Sequence, residues 1–382
     1  MRTTLSLSCG LAALALQANA AIVENGLWTG NDWYDSTLQI GVHNGVPYSN
    51  DPKVSRRITS PLTFDGDVST NYMDQENVKR VSSLFSAADW SVGFPLANPV
   101  YTYKNFLKAV AKFPKFCNET NKAGQSLDQT CKRELATLFA HWGQETGKRS
   151  TSDGEFWKQG LYYLEEIRCS GTTDPTCDYK QAGWAEEAWP SQPGQQYYGR
   201  GPFQLSWNYN YGQFSNVITS PSAYNSKLHL LQNPDLVHED GYLAMAAGIW
   251  FYMTPQSPKP SMHDVITGFF EPNATDLANK ITATFGTTIN IINGGVECGQ
   301  SPENSKAASR GQYYLKWLSF FKMPAEDGLG CGTMSNWFPW GGSGQVSGYW
   351  YQAWDGSKAC KPVSWQTAYS MSARDDYKRC VC

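Results

Sequence analysis

The chain has 382 residues, room for about two domains or one large one, and with 41% hydrophobic and only 17% charged residues it is neither a solvated disordered chain nor a coiled coil. Its 31 basic and 34 acidic side chains give a formal charge of −3, too near neutrality to grip nucleic acid or an anionic membrane, so a neutral partner fits better. Aromatic residues reach 14% (15 Trp, 21 Tyr, 17 Phe) beside 34 Gly and 20 Pro, a loop-rich composition whose flat rings serve as core material or as stacking surfaces.

Residues 1–20 (MRTTLSLSCGLAALALQANA) carry Arg2, an apolar stretch over 5–16, and Ala18 and Ala20 flanking Asn19. That is the layout of a secretory signal peptide cut after Ala20, and the apolar run is too short to span ~30 Å of hydrocarbon. Residues 21–98 read as irregular and strand-like, with one helix near 77–85. The texture then becomes helical. Phe106, Leu107, Val110 and Phe113 share one face over 103–113, and Leu135, Leu138, Phe139 and Trp142 share one over 131–145. Further helices are expected over 240–253, capped by Asp240, over 275–292, and over 309–321. The apolar run YLAMAAGIWFYM is about 12 residues, a buried helix and not a membrane span. Beyond Lys322, Trp337-Phe338-Pro339-Trp340 precedes a Gly/Ser run at 341–344, after which Tyr349, Trp350, Tyr351 and Trp354 stand beside three cysteines. This end is either a separate module or a strap packed on the main body.

Removing the signal takes Cys9 away and leaves Cys117, Cys131, Cys169, Cys177, Cys298, Cys331, Cys360, Cys380 and Cys382. Most should pair in an oxidising compartment, and the odd count leaves one over. Short spacing favours Cys117 with Cys131 and Cys169 with Cys177, and gives Cys360 one of Cys380 or Cys382. The spacings contain no paired CxxC knuckles and the five His are scattered, so no metal site is expected. The sequons at Asn118 and Asn273 fit a glycosylated, secreted surface.

Four segments could carry chemistry. Glu145 follows Trp142 by three and Leu138 by seven, which puts it on the apolar stripe of its helix. Desolvation there would raise its pKa and suit it to donate a proton; the alternative is a helix-end carboxylate that curls to water past Gly147. Glu165 and Glu166, anchored between Tyr162-Tyr163 and Cys169, offer a second carboxylate, and spacing does not choose between them. In YYGRGPFQLSWNYNYG (197–212), Ser206 is a good N-cap for the helix that follows, with Gln204 before it and Asn210 four residues on. These groups either bind hydroxyls and amides or simply tie a Gly-rich turn to a helix. Asn293, in TINIINGGVECG, either faces a cleft or ends a helix.

YYGRGPFQLSWNYNYG, QETG (144–147), MTPQSPKPSMHDVITG (253–268) and NIINGGVECG (290–299) resemble, in order, the signature segments of the family 19 glycoside hydrolases, the plant-type chitinases. The resemblance covers about 99–331 and implies a mainly α, bilobal, lysozyme-like catalytic domain with a deep cleft. Outside it lie an irregular or β-rich N-terminal extension (21–98) and an aromatic, disulfide-containing C-terminal one (332–382). It implies cleavage of the β-1,4 linkages of chitin with inversion; with the signal peptide, the expectation is a secreted, endo-acting enzyme that works as a monomer. Carried over by position, Glu145 is the general acid, Glu166 the general base, and Ser206 the residue that holds the attacking water. Gln204, Asn210, Lys259, Asn293 and Arg310 are substrate-binding or cleft-network positions, with Tyr198 in the matching cleft segment, Glu297 joining Arg310, and Cys298 paired with Cys331. No cofactor is called for, because protonation and a positioned water suffice. The chain departs from the family where Gln144 replaces a His before the acid and Ser191 replaces a frequent cysteine. Competing functions are a peptidoglycan-cleaving hydrolase, a chitin-binding protein without activity, and a structural wall protein.

Overall fold

The computed structural model describes residues 63–344, apart from 65–67, 122, 184, 187–188, 220–228 and 257, together with the backbone of six short flanking strands. The expected signal peptide lies outside the described residues, as do the side chains of Trp350, Trp354, Cys360, Cys380 and Cys382.

Helix α1 (Glu76–Leu84) is where the sequence puts it, and α2 (Ala87–Gly93) follows at once, opened by a capping box between Ser86 and Asp89 that the sequence analysis missed. Helices α3 (Tyr103–Lys112) and α4 (Leu127–Thr146) carry the expected apolar stripes. α4 starts ahead of its stripe because Ser126 and Gln129 form a second capping box. Next come α5 (Asn208–Thr219), the short α6 (Leu236–Glu239) and α7 (Gly241–Met253). Asp240 caps α7 as expected, accepting from the backbone N–H groups of Tyr242 and Leu243. After α8 (Met262–Ile266), the single helix expected over 275–292 is instead two, α9 (Ala274–Ala278) and α10 (Phe285–Glu297). The chain breaks where Lys280 takes φ +62° and Thr284 is extended. α11 (Ser305–Phe320) begins early because the Asn304 side chain accepts from the Lys306 N–H.

α4 packs along α11 and α7 along α3. Between them the rings of Phe85, Phe94, Phe106, Phe139, Trp142 and Trp317 interlock, with Phe139 centred 4.9 Å from both Phe85 and Trp317. Each such ring buried contributes about 1.5–3 kcal/mol. Val78, Val81, Phe85 and Trp90 belong to this same core, so the expected boundary at 98 is not a packing boundary. α1 and α2 are part of the helical body because their apolar faces are buried in its core.

The described part is mainly α, as expected. β1 (Tyr34–Asp35), β2 (Ile40–His43) and β3 (Val46–Pro47) form an antiparallel ribbon at the N-terminal side, and β4 (Tyr349–Gln352) pairs antiparallel with β5 (Cys360–Val363) and β6 (Tyr369–Ser370) at the C-terminal side. Among the described residues, disulfides join Cys117 to Cys131, Cys169 to Cys177 and Cys298 to Cys331, with Cα separations of 4.3, 5.6 and 4.9 Å. Residues 332–344 are a strap on the body: Met334 and Phe338 are buried, Ser335 donates from its N–H to the Asn279 carbonyl, and the Ser343 N–H reaches Asp276.

Candidate active site

A cleft of about 620 Å³ crosses the surface between two walls. One wall is segment 199–210 with Glu166; the other joins the turn at 256–259 to α10, α11 and the end of α4. Glu145, Glu166, Gln204, Ser206, Asn210, Lys259, Asn293, Glu297 and Arg310 all line it, gathered from positions far apart in the chain.

Glu145 sits in the last turn of α4, where the negative end of the helix dipole opposes a carboxylate. The chain can leave the helix directly afterwards because position 147 is glycine: a Cβ there would stand 2.3 Å from the Gly143 carbonyl oxygen. The environment of Glu145 is not the purely apolar one that its stripe position suggests. Its carboxyl contacts Nη2 of Arg310, which is almost fully buried on α11. Arg310 is in turn held bidentately by Glu297, at 2.9 Å from Nε and 2.8 Å from Nη2. Burial alone would raise the Glu297 pKa, but hydrogen bonding and charge from Arg310 hold it below the usual value. Asn293 donates to Glu297 at 2.8 Å, from a non-helical kink (φ −146°, ψ 34°) inside α10, so it does both of the things the sequence left open.

A fourth member, His141, was missed. The Nη1 of Arg310 lies 3.1 Å from its Nδ1, and its Nε2 is 2.9 Å from the Thr288 hydroxyl, which donates to the Phe285 carbonyl. That hydroxyl must therefore accept from Nε2–H, leaving Nδ1 to accept from Arg310, a neutral imidazole. Burial, and then the Arg310 charge, push the His141 pKa well below its ordinary value, in agreement with this tautomer. The signal was available: His141 is four residues before Glu145, one turn up the same face.

Glu166 is held differently. Its N–H donates to the Gly199 carbonyl at 2.8 Å, the Gly201 N–H donates to Leu164, and the Cys169–Cys177 disulfide closes the loop beyond. Arg168 donates to its Oε1 at 2.6 Å and the Tyr179 hydroxyl at 3.2 Å; neither residue was singled out from sequence. The structure separates the adjacent glutamates. Glu165 lines a second cavity of about 470 Å³ on the far side of the segment and accepts from Ser170 and Tyr198. Thr146 ties the two walls of carboxylates together. Its hydroxyl donates to the Trp142 carbonyl at 2.7 Å and accepts from the Leu161 N–H at 2.8 Å, while its carbonyl takes the N–H groups of Tyr162 and Tyr163.

The segment at 199–210 folds as a tight hairpin closed by reciprocal backbone bonds between Arg200 and Leu205. Gln204 and Trp207 occupy positive φ (50° and 78°), and Gly199 leaves the space that the Gln204 side chain fills. Ser206 is not an N-cap. α5 starts only at Asn208, past the left-handed Trp207, and the Ser206 hydroxyl donates to the Gln204 carbonyl at 2.8 Å. Asn210 donates to the Ser206 carbonyl and accepts from Gln256 of the opposite wall at 3.1 Å. Lys259 donates to the Ile291 carbonyl at 2.9 Å, and burial lowers its pKa to about 8. Tyr198 does not line the cleft. Its ring lies under the buried Arg200, 3.8 Å from the guanidinium carbon, and its hydroxyl turns away to Glu165.

The chain matches the family described as chitinase class I (Glyco_hydro_19) over residues 94–331, and it belongs to that family. It is 40% identical over 236 residues to endochitinase A2 of Pisum sativum and 39% identical over 237 residues to endochitinase 2 of Solanum tuberosum. Each match covers 61% of this chain and a little under two thirds of the relative, 64% and 66%. Among solved structures, chitinase C from Streptomyces griseus is 29% identical, covering 65% of this chain and 97% of that one with a TM-score of 0.47. A class IV chitinase from Zea mays is 26% identical, covering 66% and 100%, also with a TM-score of 0.47.

Proposed function

We propose that this chain is a secreted, endo-acting chitinase that hydrolyses β-1,4 bonds between N-acetylglucosamine units with inversion, its catalytic unit lying within about 99–331. The observation that carries this is that Glu145 and Glu166 line one cleft from separately built supports. Glu297 is fully buried against the Arg310 guanidinium, whereas the Glu145 side chain is 19% exposed at the cleft and is the carboxyl of that cluster placed to donate to the glycosidic oxygen. Glu166 removes a proton from a water held with Ser206 on the other side of the sugar. Inversion needs room for that water, a carboxyl separation of ~6.5–9.5 Å. Gln204, Asn210, Lys259 and Asn293 present amide and ammonium groups to sugar hydroxyls and N-acetyl groups, and Trp207 offers a ring at the floor of the cleft. Proton transfer and water positioning account for the step without a cofactor.

The test is product analysis on chitin hexamer. Wild type should release the α-anomer first, and Glu145→Gln should lose hydrolysis; a β-anomeric first product, or near wild-type turnover by Glu145→Gln, would sink the assignment. Lysis of bacterial walls without cleavage of hexamer would transfer the activity to peptidoglycan. We further propose removal of residues 1–20, action as a monomer, and glycosylation at Asn118 and Asn273, which intact mass before and after glycosidase treatment would check. Of the two sequons Asn273 is the more exposed, but its side chain caps α9 and donates to the Gly341 carbonyl, so a glycan there must leave that bond to the amide's one remaining N–H.

A further inference from the structure

The strap at 332–344 lies beyond the family match and carries a pattern that packing does not explain. Trp337 and Trp340 are each 66% exposed, the most exposed large hydrophobic side chains among the described residues, while Phe338 between them is 4% exposed and anchored in the core. Exposing two indoles leaves a large apolar area in water, unfavourable unless something covers it.

The strap is not loose. The Asn290 side chain donates to the Ser335 carbonyl at 2.6 Å, and the Asn273 side chain donates to the Gly341 carbonyl at 2.8 Å. It also runs from one part of the cleft's second wall to another. The Asn336 carbonyl oxygen would stand 3.2 Å from a Cβ on Gly294, the residue after Asn293. At the other end, Gly344 packs on Pro258 and Pro260, on either side of Lys259. Two exposed indoles therefore stand on a segment whose backbone is packed against the wall that carries Asn293 and Lys259.

We infer that Trp337 and Trp340 form a stacking platform, separate from the catalytic cleft, for the β-linked N-acetylglucosamine chains of insoluble chitin. This rests on the proposed function for the identity of the sugar. The faces of a β-linked pyranose chain are apolar and flat, and an indole held in place pays little conformational entropy to cover them. A rigid platform beside the cleft wall would hold the enzyme on a crystalline face while the cleft takes up one chain; a short soluble oligomer, held in the cleft itself, does not need it.

The experiment compares the full chain with the Trp337→Ala/Trp340→Ala double variant in two assays: partition onto crystalline β-chitin at low temperature, and turnover of soluble chitin hexamer. The platform requires partition to fall by about five- to ten-fold or more, with hexamer turnover unchanged. The Trp337→Tyr/Trp340→Tyr variant should recover most of the partition, since a ring is restored. Unchanged partition of the alanine variant, a parallel fall in hexamer turnover, or failure of the tyrosine variant to recover would each overturn the inference. Partition does not need catalysis. Failure of wild type to cleave hexamer would therefore break the functional proposal while the platform is still read from binding.

Discussion

The two supports of the cleft solve opposite problems. Around Glu145, the side chains of Glu297, Arg310 and His141 are packed between α4, α10 and α11, and the Arg310 and Glu297 side chains are 1% and 0% exposed. Charges taken out of water at that depth must be compensated within the fold, and here each polar atom of the cluster that reaches a neighbour is a member of one connected network. Glu166, by contrast, has a side chain 25% exposed, next to an Arg168 that is 53% exposed, on a segment with no helix to hold it. Its position comes instead from backbone bonds to 199–201 and from a disulfide. Burial supplies rigidity at Glu145; tethering supplies it at Glu166.

The largest effect expected is on chemistry. Glu145→Gln and Glu166→Gln should each lower kcat on chitin hexamer by about 10²–10⁴-fold, and the comparison is sharpened by their Tm values. Removing one of the two carboxyls that share Arg310 leaves Glu297 as its full partner, so neither variant should unfold. Arg310→Leu should behave otherwise. It strands Glu297 in the interior and should cost about 3–5 kcal/mol of stability by denaturant titration; a variant as stable as wild type would break the contrast.

Thr146→Val removes the hydroxyl that accepts the Leu161 N–H, leaving a buried donor unpaired at about 1–3 kcal/mol. Because that bond joins the two supports, kcat should fall more than Tm alone explains, with KM little changed. A test of buried charge outside the cleft is His263, fully buried between Glu134 at 2.5 Å and Glu119 at 2.7 Å. Burial by itself would lower its pKa, but the two carboxylates override this and lift it to about 9. The folded value lies above the unfolded one of about 6.5, so its stabilisation is complete below pH 6.5 and is lost as pH rises through 9. Tm should decline over that window, and His263→Gln should flatten the decline. The smallest effect belongs to Arg168→Leu: Tm should barely move, since this is a largely exposed pair, while kcat falls less than ten-fold as Glu166 loses one of two anchors.

Much of this was legible in the residues. Apolar periodicity gave α3 and α4, a continuous apolar run behind the Asp240 cap gave α7, and the short cysteine spacings gave two disulfides, because each depends on neighbours within a few turns. Position-by-position likeness supplied Glu145, Glu166, Lys259, Asn293 and Arg310, all of which line the cleft. Where local logic was stretched over longer distances it failed. Ser206 looked like a cap, yet a left-handed Trp207 delays the helix; Tyr198 looked like a cleft residue, yet Arg200 turns it inward.

By itself, then, the sequence determined a mainly helical body, its caps, two of its cross-links and the carboxylates worth watching, all set by spacing along one chain. Only the tertiary structure decided that Glu165 turns to a second cavity, that His141 closes a network around Arg310, and that two tryptophans past the family match stand in solvent on a pinned strap. Those outcomes depend on which surfaces meet across α4, α10, α11 and the hairpin at 199–205, and a carboxylate's neighbours in space are fixed by packing that no local spacing encodes.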